Sequence, residues 1–132
     1  MGEGPTHLNL KNYIAANPSL ALDEPGLCTL AVEYEFPTND VADIVLVDQH
    51  ERIVGVEIEP AVDGANSVGL LQAIKYRYML ECAASREPGD SRGILIAHRI
   101  SQKVKALCKK YQIEHHEISH DAVAEWLQKQ SE

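Results

Sequence analysis

The sequence has no apolar run approaching the roughly 20 residues that span a bilayer, and its N-terminus, MGEGPTHLN, lacks the apolar stretch of a secretory signal. A cytoplasmic protein with no membrane partner is the expectation. Cysteine is scarce: Cys28, Cys82 and Cys108 are odd in number and show no CxxC spacing, which argues against a disulfide framework and a thiolate zinc site, and they read as reduced packing residues. Basic residues are outnumbered, 12 Lys and Arg against 20 Asp and Glu, so the formal net charge is -8 at pH 7. Non-specific attraction to nucleic acid is therefore disfavoured, because it scales with the basic groups presented. Internal repeats and low-complexity linkers are also missing. What is present, 132 residues that are 45% hydrophobic and 24% charged, predicts one globular domain over residues 1–132.

The positive charge is unevenly placed. Residues 92–110 carry Arg92, Arg99, Lys103, Lys105, Lys109 and Lys110 and no acid, a local charge of +6. Two readings stand: a solvated helix face balancing an acidic first half, or a phosphate-contacting surface.

Residues 6–16 read as a helix with Leu10, Tyr13 and Ile14 on one face and Asn17-Pro18 as its stop. After the Pro25-Gly26 turn, CTLAVEYE (28–35) alternates as a strand until Pro37-Thr38-Asn39-Asp40 breaks it. ADIVLVD (42–48) and RIVGVEI (52–58) are β-branched runs joined by a polar stretch, as in a hairpin. A long helix is predicted from Asn66 to Cys82, with Leu70, Ala73, Ile74 and Tyr78 at core spacing, ending before Pro88-Gly89-Asp90. GILIA (93–97) has the continuous apolar character of a strand buried on both faces in a parallel arrangement. Val104, Leu107, Cys108 and Tyr111 then mark an amphipathic helix capped by Ser101. A short strand from Ile113 to Ile118 and a helix from about Asp121, with Val123, Trp126 and Leu127 on one face, complete the chain. This order predicts an α/β fold with a mixed sheet covered on both faces.

The hairpin carries the chemistry. If its turn is centred on His50, Asp43 and Glu57 lie opposite each other, with Cβ atoms about 4.5 to 5.5 Å apart. Facing carboxylates repel unless a cation or a proton compensates. Glu59 shares the face of Glu57, while Ile58 points into the core. Three carboxylates without His or Cys suit Mg²⁺ or Mn²⁺, which would activate water for phosphodiester cleavage. The alternative is a solvated sheet face, and a one-residue slip in register would separate Asp43 from Glu57.

Gln72, Lys75, Tyr76 and Met79 share a face of the following helix. Lys75 is a candidate for the missing positive charge, or an ordinary exposed lysine. Glu33 and Glu35 share one strand face from which either can reach the hairpin carboxylates. In HHEISH (115–120), His116 and His120 are four apart, but a strand-to-helix junction falls between them, so an incidental cluster is favoured over zinc.

The succession Asp43, Glu57-Ile58-Glu59, Gln72-Ala73-Ile74-Lys75-Tyr76 resembles the PD-(D/E)XK nucleases, including the QxxxY helix motif of their RecB-like branch. Asn17-Pro18, Glu24-Pro25-Gly26-Leu27, Glu35 and GILIA extend this to the C-terminal domain of NucS-type mismatch endonucleases, over roughly residues 8–120. The resemblance implies a three-layer αβα fold of the restriction-endonuclease type and a Mg²⁺- or Mn²⁺-dependent DNA endonuclease. It assigns Asp43 and Glu57 to the metal, Gln72 and Tyr76 to orienting the site or the DNA backbone, and Glu35 to the metal-site edge. Where most members have a lysine this chain has Glu59, as do some active restriction enzymes. The acidic first-helix residue of the branch is absent, with Lys11 near its place. The other reading is a catalytically degenerate nuclease fold kept for binding or regulation. Cleavage of both strands would call for a homodimer or a partner protein.

Overall fold

The structure, a computed structural model, describes residues 4–62 and 68–132. The chain opens with helix α1 (Pro5–Ala16), whose first turn contains Pro5 where a missing N–H is no loss. Leu10, Tyr13 and Ile14 are its buried apolar residues, as their spacing requires. Asn17 ends α1, but Pro18 then starts a second helix, α2 (Pro18–Leu22), which the sequence reading took only as a stop. Asp23, in the left-handed region at φ 51°, ends it.

Strands β1 (Cys28–Glu35), β2 (Val41–Val47) and β3 (Ile53–Ile58) form an antiparallel meander. The predicted hairpin is one residue too long on each strand. Asp48 belongs to the turn, where its Oδ1 accepts the backbone N–H groups of His50 and Arg52, both at 2.9 Å. A two-residue strand β4 (Ala61–Val62) follows. Helix α3 (Val68–Ala83) comes next; the start predicted at Asn66 lies outside the described residues.

Strand β5 (Ser91–Ala97) runs parallel to β3, as expected for GILIA, and begins two residues earlier. The two-residue β6 (Arg99–Ile100) pairs with β4. Helix α4 (Gln102–Lys110) has Ser101 as its cap, the hydroxyl accepting the Val104 N–H. Strand β7 (Glu114–Glu117) is parallel to β5, and α5 (His120–Gln130) closes the chain. The main sheet has the order β1-β2-β3-β5-β7.

Strand alternation sends two apolar surfaces in opposite directions, and helices cover both. Ile44, Leu46, Val54, Val56, Ile58, Ile94 and Ile96 pack with α1, α2 and α5. Leu95 and Ala97 meet Leu70 and Ala73 of α3 and Val104 and Cys108 of α4, while Val45 and Ile53 meet Tyr76 and Leu80. The fold is α/β in three layers.

Three expectations about packing are corrected. The inner face of α3 is Leu70, Ala73, Tyr76, Arg77, Leu80 and Glu81, and Tyr78 is exposed. Arg77 and Glu81 are accommodated by hydrogen bonds: Arg77 donates to the Ser91 hydroxyl and carbonyl and to the Gln112 carbonyl, and Glu81 accepts from the Ser91 hydroxyl. Gly55 and Gly93 let this helix lie close, since a Cβ on Gly55 would stand 2.9 Å from Leu80 Cδ1. Of the cysteines, Cys108 is buried, but Cys28 and Cys82 are exposed and pack nothing. Arg92 is not a surface cation. It donates to Glu24, Glu114 and Asp48 at 2.6 to 3.3 Å and ties α2's exit, the hairpin turn and β7 to β5. No helix among the described residues is long and apolar enough to cross a membrane.

Candidate active site

The β2–β3 ladder pairs Val47 with Ile53, Leu46 with Val54, Val45 with Gly55 and Ile44 with Val56, a register centred on His50. One step further along the same register, Asp43 faces Glu57. Asp43 Oδ2 accepts the Ile58 N–H at 2.8 Å, and the Asp43 carboxyl and backbone N–H both hydrogen-bond the Glu57 carboxyl. Two carboxyl groups in contact must share a proton or a cation. Glu57 is buried, and its Oε1 has no hydrogen-bond partner among the described residues. Burial, then the Asp43 carboxylate and the charge of Glu59, push the Glu57 carboxyl up to about pKa 10, so it holds a proton at neutral pH.

Glu59 lies at the same end of the sheet, its N–H bonded to the Ile96 carbonyl. Burial raises its pKa and Asp43 adds to this, whereas His7 lowers it. A Cβ on Gly69 would come within 2.5 Å of Glu59 Cγ, so the first turn of α3 rests on this side chain. Tyr76, also on α3, is buried and stacks on Phe36 with ring centroids 5.5 Å apart. Its hydroxyl accepts the Val41 N–H, and burial followed by the negative field of Glu57, Asp40 and Asp43 raises its pKa. Gln72, half-buried, lies one turn earlier.

Two residues singled out in the sequence are not brought to this cluster. Lys75 is exposed and its ammonium sits 3.0 Å from Asp40 in the β1–β2 connection. Glu35 is exposed at the end of β1. Ala31 and Tyr34 both pack toward α3 although an odd separation would normally oppose them; Glu33 between them is left-handed at φ 55° and turns the chain over. Glu35 itself pairs with Val41, two positions from Asp43, and its side chain is exposed. Two residues of α1 enter instead. His7 Nε2 is 3.6 Å from Asp43 Oδ2, and Lys11, one turn on and 2% exposed, donates to Glu33 at 2.9 Å. The histidines near the C-terminus do not form the His116–His120 pair: the His120 ring stacks on His98 at 3.6 Å.

Among the described residues no three His, Cys, Asp or Glu side chains form a closed metal cage. Asp43 and Glu57 nevertheless fit a hard cation, because they are oxygen donors in contact, one oxygen is buried without a partner, and a proton occupies the place of a positive charge.

No protein-family model matches the sequence, and no curated protein matches it. Solved structures do. A complex of EndoMS with double-stranded DNA superposes with a TM-score of 0.72 at 21% identity, over 90% of this chain and 46% of that one. A repair endonuclease from Pyrococcus abyssi gives 0.71 at 22% identity, over 90% of this chain and 49% of that one. EndoMS in its apo form gives 0.68 at 24%, over 89% and 48%. The chain has the EndoMS fold. It spans about half the length of these proteins. The EndoMS likeness agrees with the NucS-type resemblance read from the motifs. Within this EndoMS-like fold, the carboxylates sit at the carboxyl ends of the parallel strands β3 and β5, where open α/β sheets receive ligands.

Proposed function

We propose that this chain is a divalent-metal-dependent nuclease domain that hydrolyses DNA phosphodiester bonds. The observation that carries the reading is the Asp43–Glu57 contact, in which a protonated, buried Glu57 keeps one oxygen without a partner. A structural role offers no reason to bury two like-charged groups against each other. The names of the solved neighbours, repair endonucleases and one complex with duplex DNA, support the same direction.

Asp43 and Glu57 would hold Mg²⁺ or Mn²⁺. A bound ion of this kind lowers the pKa of water and offsets charge developing on the phosphodiester. Asp43 is held in place by the Ile58 N–H, which donates to its Oδ2. On binding such an ion Glu57 would give up its proton to solvent. Glu59, a carboxylate of raised pKa, accepts a proton from the attacking water. Tyr76 and Gln72 line the α3 wall and orient the backbone of the bound strand. In this reading Lys75 and Glu35 stay outside the metal pair, since the Lys75 ammonium is held by Asp40 and Glu35 is exposed at the end of β1.

Calorimetric titration of the unmodified chain and of Asp43→Asn with Mn²⁺ tests this. The expected result is binding that Asp43→Asn abolishes, accompanied at neutral pH by release of about one proton, seen as a buffer-dependent heat. Loss of DNA cleavage in Glu57→Ala follows from the same assignment. Absence of Mn²⁺ binding by either protein would overturn it and leave a nuclease fold retained for binding or regulation, a reading that Glu59 and the net charge of -8 favour.

A further inference from the structure

An acidic chain that acts on DNA must present its few cations together, and the fold does so at one place. Of the 12 Lys and Arg residues, Lys11, Arg52, Lys75, Arg86, Arg92 and Lys105 form ion pairs, and Arg77 is buried in hydrogen bonds. The remainder are Arg99, Lys103, Lys109, Lys110 and Lys129. All but Lys129 lie on α4 or on β6 leading into it.

Helical geometry makes this a surface rather than a list. With Val104 and Cys108 buried and Leu107 half-buried, a turn of 100° per residue leaves Gln102, Lys103, Ala106, Lys109 and Lys110 as one continuous arc, and each is exposed. No acid interrupts it. Lys105 is on the opposite flank, neutralised by Glu117 at 2.9 Å. Tyr111, assigned by its spacing to the apolar face, ends α4 and is 46% exposed, with Lys110 Nζ 5.5 Å from its ring.

The arc starts at the carboxylate end of the sheet. Arg99 pairs with Ala61, two residues beyond Glu59, and the Ser101 N–H bonds the Val62 carbonyl. From there α4 leads away, and Lys103 and Lys110 are separated by about 10 Å along its axis. That is roughly three phosphate steps of one DNA strand, at about 3.4 Å each.

We infer that Arg99 and the exposed face of α4 form the track that holds the DNA phosphate backbone beside the Asp43–Glu57 site. This rests on the nuclease reading above and names the surface by which the substrate is held. The track contacts sugar-phosphate and so binds without reading sequence.

Fluorescence anisotropy with a labelled duplex of about 20 base pairs tests it, in EDTA so that nothing is cut, over about 50 to 200 mM salt. Replacing Lys103, Lys109 and Lys110 together by Gln should weaken binding at least tenfold. It should also flatten the dependence of log affinity on log salt by about two to three, near 0.9 per lost phosphate contact. Lys129→Gln, on α5, should change neither quantity. A triple variant that melts like the parent and binds with the parent's affinity and slope would overturn the track. If the unmodified chain binds no duplex at the lowest salt while still binding Mn²⁺, the DNA reading falls together with the track. If it binds DNA but not Mn²⁺, the track stands and the metal-dependent reading falls.

Discussion

Glu57 concentrates the tension of this molecule in one side chain. Burial and the neighbouring Asp43 raise its pKa from 4.5 to about 10, so the folded state keeps a proton that the unfolded chain has already released. The stability associated with that proton is fully present below about pH 4.5 and is lost as the pH rises through about 10. Glu57→Gln substitutes a group that cannot ionise. Its melting temperature should match that of the parent near pH 5 and exceed it by several degrees near pH 9, where folding of the parent must take up a proton that the unfolded chain has released. Thermal scans from about pH 5 to 10 check this, and parallel curves for the two proteins would mean that Glu57 is ionised in the fold at neutral pH. The same substitution should abolish Mn²⁺ binding, so stability and function move in opposite directions at this residue.

At the level of elements, α3 decides how closely the site can be assembled, because Tyr76 stands in the field of Glu57 and Asp43 only if the helix lies close on β3 and β5. Gly55 provides the room. Gly55→Ala puts a Cβ 2.9 Å from Leu80 Cδ1, and the resulting overpacking should cost about 1 to 3 kcal/mol in urea unfolding. The strands that carry the site were legible because β-branched runs lie on either side of a polar turn, but the register centred on His50 was one of two open to the sequence, and the β2–β3 pairing decides it. Ser101 and the face of α4 were legible through capping chemistry and spacing. The inner face of α3 was not, because Arg77 and Glu81 are polar residues buried by hydrogen bonding, and periodicity built on apolar residues alone moved the core to Tyr78. Nor was the turn within β1 at Glu33, whose left-handed backbone no glycine or asparagine announces. α2, β4 and β6 are too short for any period to register. His7 escaped notice because its contact with Asp43 spans 36 positions, and the signal was only a histidine in the first turns of a helix.

The described residues present one Asp43–Glu57 centre, whereas duplex DNA presents two antiparallel strands. On the nuclease proposal a single copy reaches one scissile phosphate, and a double-strand break takes two copies related by a two-fold axis, or a partner. With Mn²⁺ present, supercoiled plasmid should first become nicked circles, and linear product should appear with a steeper dependence on protein concentration, as gel electrophoresis over a protein titration would show. Linear product appearing alone and in proportion to protein would instead indicate a preformed dimer. The Arg92 cluster lies at the other end of the same sheet, where β5 begins, and there Glu24, Asp48 and Glu114 all share one guanidinium. The ion-paired end of the strands and the carboxylate end are thus apart, so a substitution at Asp43 or Glu57 leaves the contacts of Arg92 in place.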